Sequence, residues 1–134
     1  MPDTIKNPIS EVFSRWSKAV EPVVGKNNYS MDKSQTIAST KKAYARLLML
    51  GNTTRNSDLE GDECATLISF QTESYASGAK ALSKVYDEID EASHKAMVDM
   101  GFRRIYGPEL QNNAENSIKR VVSRYSRTYT GQFL

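Results

Sequence analysis

Ile68, Tyr75, Leu82, Ile89 and Ala96 recur every seven residues, with Val85 and Ala92 on the adjoining row. An apolar heptad of this kind is the mark of a helix that packs along its length on another helix. It predicts one long helix from about Asp58 to about Met100, breakable at Gly78. Ala65, Ser69, Ala76, Ala79, Ala81, Ala92 and Ser93 lie among the larger residues. Side chains this small let a second helix approach closely, although each buries little area. Self-association is therefore assigned to Ile68, Tyr75, Gly78, Leu82 and Ile89.

The flanking segments also read as helices. In "NPISEVFSRWSKAVEPVV", Asn7 suits an N-cap and Pro8 a first helical position. Ile9, Val12, Phe13, Trp16 and Val20 form a helical stripe that should end or kink before Pro22. Ser30 can cap a second helix running to Gly51, with Ile37, Tyr44, Leu47 and Leu48 inward. "MGFRRIYGPE" interrupts the pattern, with Gly101, Gly107 and Pro108 as breakers. A final helix is predicted from about Pro108 to Tyr129. On a helical wheel Ala114, Ile118, Val121, Val122, Tyr125 and Tyr129 share one arc. Arg120, Arg124 and Arg127 fall on the far side, with Lys119 at their flank. The expectation is an all-α fold: a single domain over residues 1–134, a bundle of four or five helices with one long central heptad-like helix.

That arginine ridge is the candidate polyanion-binding site. Guanidinium forks match phosphate oxygens, so Lys119, Arg120, Arg124 and Arg127 point to nucleic acid held through its backbone. The alternative is a solvated helix face, where cations near a C-terminus are favoured by the dipole. Tyr106, Tyr125 and Tyr129 suggest base stacking, but two of them lie on the core arc and read as packing residues. Charge is segregated along the chain. Residues 1–57 carry a net +5, residues 58–99 a net −7 and residues 100–134 a net +4. Such blocks either balance within one fold or let copies attract one another.

Catalytic constellations are weak. Glu91 and His94 have the Glu-x-x-His spacing of di-iron bundles, with Asp87 one turn earlier, but His94 is the single histidine. Haem ligation by His94 lacks any pocket signature. Cys64, the single cysteine, rules out an intrachain disulfide and reads as a small buried hydrophobe. No phosphate-binding loop or nucleophile elbow is present. No metal, cofactor or small-molecule substrate is expected.

The N-terminal segment has no signal-like apolar stretch, so a cytoplasmic setting or an intracellular assembly is expected. The sequons at Asn28 and Asn52 then read as chance matches. The functional expectation is a non-enzymatic structural protein that packs against copies of itself or a larger partner. A filament or capsid subunit gripping nucleic acid is a special case. A protein-binding adaptor and a module on an anionic membrane surface are the alternatives.

Overall fold

The computed structural model describes residues 9–31, 43–55, 65–111 and 118–129. It overturns the all-α expectation. The fold is α/β: a five-stranded mixed sheet with helices on one side. In chain order the elements are α1 (Ile9–Val24), β1 (Tyr29–Met31), β2 (Ala43–Arg55) and β3 (Ala65–Ser77). A helical rod follows, made of α2 (Ala81–Ser83), a π-helical stretch (Lys84–Asp90) and α3 (Glu91–Asp99). Then come β4 (Arg103–Gln111) and β5 (Ile118–Tyr129). The sheet order is β1-β2-β3-β5-β4. Only β1 runs parallel to its neighbour; the other pairs are antiparallel.

The proposed long central helix is thus two elements of different kind. Residues 65–77 form the middle strand, and only 81–99 are helical. Gly78, at φ +100°, turns the chain from one to the other. A left-handed φ of this size suits a residue without a Cβ. The helix drawn over 30–51 is replaced by β1 and β2, and Ser30 lies in β1 rather than at a cap. The C-terminal helix is replaced by β4 and β5. There is no coiled coil among the described residues. Asn7, Pro8, Ile37, Cys64 and Ala114 lie outside them.

Helix α1 follows its stripe: Val12, Trp16, Val20 and Val24 are buried. Pro22 does not stop it. The helix runs to Val24, because one missing N–H in the last turn costs a single bond while Val20 and Val24 hold that turn on the core. The Trp16 indole Nε1 donates to Ser93 Oγ at 2.9 Å, tying α1 to α3. The rod ends at Gly101 in a Schellman pattern. Gly101 N–H donates to Val98 O at 2.9 Å and Phe102 N–H to Met97 O at 2.9 Å. Phe102 and Met97 both join the core, the apolar contact that accompanies this motif.

The helix-side face of the sheet carries Ala43, Ala45 and Leu47 of β2, Ile68, Phe70 and Ala76 of β3, and Val121 and Tyr125 of β5. These pack on α1 and the rod as one core. No helix among the described residues is long and apolar enough to cross a membrane.

Candidate functional site

The sheet face away from the helices is organised around one carboxylate. Glu73 stands on the central strand β3 and is 1% exposed. Arg46, directly opposite on β2, donates to its Oε1 from Nε at 2.9 Å and Nη2 at 2.6 Å. The Tyr75 hydroxyl donates to the same oxygen at 2.6 Å. Oε2 receives Gln71 Nε2 at 2.6 Å and Arg120 Nη2 of β5 at 2.9 Å. The network then spreads outward: Arg124 Nε donates to Gln71 Oε1 at 2.8 Å and stacks 4.7 Å over the Tyr106 ring of β4. Four strands are linked by side chains on a single face.

Burial alone would push the Glu73 carboxyl up. The hydrogen bonds from Tyr75, Arg120 and Arg46 and the charge of Arg120 outweigh it, so the group sits below its ordinary value. Tyr75 is pushed up to about 12, by burial first and then by its bond to the Glu73 carboxylate.

A second carboxylate lies between rod and sheet. The π-helical stretch turns both Ile89 and Asp90 inward. Asp90 Oδ2 accepts from Arg104 Nη2 at 2.8 Å, and Oδ1 from Ser123 Oγ at 2.7 Å. Arg104 also donates to the Tyr125 hydroxyl, from Nη2 at 2.8 Å and Nε at 3.2 Å. His94 Nδ1 lies 3.2 Å from the same oxygen. Burial pushes the Tyr125 phenol up to about 12, against the lowering effect of Arg104. The inward acid of this segment is therefore Asp90, while Glu91 and Asp87 face solvent. Among the described residues, no cluster of three or more His, Cys, Asp and Glu residues is placed to hold a metal ion.

The arginine ridge drawn from the helical wheel is divided by the strand. Alternation along β5 puts Arg120 and Arg124 on the open face and Lys119 and Arg127 on the helix side. Arg120 is ion-paired to Glu73, and Arg127 Nη1 donates to Met100 O at the end of the rod. The self-association set is likewise dispersed. Ile68 and Ile89 are in the core, Tyr75 is in the Glu73 network and Gly78 is in a turn. Leu82 is 49% exposed on the rod.

Sequence reasoning gave no site role to Arg46, Glu73 or Asp90. It also missed the edge strand β4. Two helices, each about 10 Å across with side chains, cover about four strands spaced roughly 4.8 Å apart. Here α1 lies over β1 and β2 and the first part of the rod over β3 and β5, while α3 meets only the start of β4, where Arg104 bonds Asp90, and the strand beyond it carries exposed apolar residues. Leu110, on its helix side opposite Val121, stays 45% exposed, and Ile105 is 57% exposed. Among the described residues nothing pairs with the outer edge of β4. The strand bulges between Arg104 and Tyr106 and again between Tyr106 and Glu109. Gly107 (φ +87°) lies against β5, where a Cβ would collide with Val122 O.

No family model matches this sequence, and no curated protein matches it significantly.

Proposed function

We propose that the protein is a non-enzymatic assembly subunit that associates with a second copy of itself along β4. The supporting observation is the part of β4 beyond Arg104, with Leu110 and Ile105 exposed beside an edge that no described strand pairs. Edge strands are the natural sites for such contacts unless they are guarded. Pro108 has no N–H to donate and the two bulges bend the strand, so the contact is carried by side chains more than by a continuous ladder.

A second copy is favoured by the charge pattern of β4 itself. Arg103 and Glu109 are each three residues from Tyr106, both exposed and both on the open face. Two β4 strands laid antiparallel about a two-fold axis near Tyr106 put each Arg103 beside its partner's Glu109. Such an isologous contact closes on itself. The two buried carboxylates belong to internal ties rather than to this surface.

Light scattering and native mass measurement test the reading. The wild type should be a dimer or a multiple of one. Leu110→Asp should weaken dimerisation by about tenfold or more, with melting little changed. Arg103→Glu should also dissociate the dimer, and adding Glu109→Arg should restore it. A wild type that remains monomeric at high concentration overturns the proposal.

A further inference from the structure

Arg124 is held in place yet keeps its charge. It is exposed on the open face of β5. Its Nε donates to Gln71 Oε1 at 2.8 Å, and its Cζ lies 4.7 Å from the centre of the Tyr106 ring. The ring is itself fixed, because Gln111 Nε2 donates to the Tyr106 hydroxyl at 2.8 Å. Both supports are neutral. Arg46 and Arg120 are ion-paired to Glu73, and Arg104 to Asp90. Among the described residues Arg124 has no such carboxylate, and neither of its Nη nitrogens has a hydrogen-bond partner. The half of the guanidinium that grips an oxyanion is therefore positioned and unused.

Tyr106 stands opposite Arg124 across the β4–β5 pair and marks the two-fold axis of the dimer proposed above. We infer that a divalent phosphate anion sits on that axis, held by the Arg124 forks of both copies, and that its binding tightens the dimer. This inference rests on the dimer reading. A two-fold axis relating antiparallel edge strands side by side runs perpendicular to the sheet, so the open faces of both copies lie on one side. Each Arg124 leans from β5 over its own Tyr106, towards the axis, and the forks face each other across the two rings. With strands roughly 4.8 Å apart, the two β5 backbones are separated by on the order of 15 Å. Two arginine side chains with one tetrahedral oxyanion between them can span that gap.

Charge selects the ligand. In the dimer each Arg103 is balanced by its partner's Glu109, so the two Arg124 side chains leave two positive charges at the axis. A phosphate group carries about −1.5 to −2 at neutral pH, with several acceptor oxygens for two forks. Chloride supplies one charge and no such geometry. The site is incomplete in one copy, because a single fork on an exposed surface gains little over water.

Sedimentation velocity tests the inference by measuring the dimer dissociation constant in chloride. Inorganic phosphate then replaces chloride at constant ionic strength and pH. Phosphate at about ten times its own dissociation constant should tighten the wild-type dimer about tenfold, by mass action. Arg124→Gln should still dimerise in chloride but lose the response to phosphate. Arg124→Lys keeps the charge without the fork and should respond more weakly than the wild type. A wild-type dimer equally tight in phosphate and chloride overturns this inference and leaves the dimer standing. A phosphate response that Arg124→Gln retains in full also overturns it. A wild type that stays monomeric in both salts at high concentration overturns the dimer reading and this inference with it.

Discussion

Glu73 and Asp90 are both buried carboxylates held by arginine, yet they solve different problems. Glu73 stands where the sheet has no helix over it among the described residues, and it collects five hydrogen bonds from β2, β3 and β5. Asp90 stands under the rod, inside the apolar layer, and accepts two. An open face must be held together laterally, by charge-assisted bonds from neighbouring strands. A covered face is already held by apolar packing, so its carboxylate only fixes how rod and sheet meet. A buried ion pair need not be more stabilising than an apolar substitute, but removing one partner from it is costly.

The largest expected effect comes from breaking the open-face tie. Glu73→Gln removes the charge and leaves Arg46 and Arg120 reaching towards an uncharged residue from the two strands that flank β3. It should destabilise the fold by about 3–5 kcal/mol in urea unfolding. A loss below about 1 kcal/mol would show that solvent serves the two arginines as well as Glu73 does. Asp90→Asn keeps one oxygen and strands a single arginine that also bonds Tyr125. Its cost should be smaller, about 2 kcal/mol, with the rod's own helicity retained. Equal losses for the two variants would erase the distinction drawn between the faces.

Titration sharpens the comparison with subtler effects. The folded Glu73 carboxyl lies below its ordinary value of 4.5, so its stabilisation is present above 4.5 and lost as pH falls through the folded value. Glu73→Gln should remove that part of the acid limb. Tyr75 and Tyr125 are both raised from 10.0 to about 12. Their stabilisation is full below pH 10 and is lost as pH rises towards 12. Tyr75→Phe and Tyr125→Phe should each flatten the alkaline limb of a stability–pH curve. Unchanged alkaline limbs in both variants would show that neither phenol contributes.

Helix α1 was legible because its apolar residues lie at strict four-residue spacing over three turns, with polar residues between. Two breakers were legible too: Gly78 marks a turn and Gly101 a helix stop for conformational reasons that need no partner, whereas Gly107, read as a break, lies inside β4. Residues 65–77 and 118–129 were misread because both faces of their strands are substantially buried. Val121 packs on the rod while Val122 is buried on the other face, so the alternation that marks a strand is lost. Their Ile, Val, Thr and Tyr content was the available signal. The candidate sites were less legible still. Arg120 and Arg124 were singled out, but their partners Glu73 and Gln71 lie 47 and 53 residues away.

Local sequence alone thus determined the elements whose physics is local: one amphipathic helix, and the glycines that end or turn the chain. Tertiary structure decided whether the ambiguous segments became helix or strand, which acids were buried, and which strand was left partly uncovered. The reason is that a strand is stabilised by hydrogen bonds and side-chain pairs to other strands. The contacts that select it over a helix come from distant parts of the chain, and they exist only once the sheet has assembled.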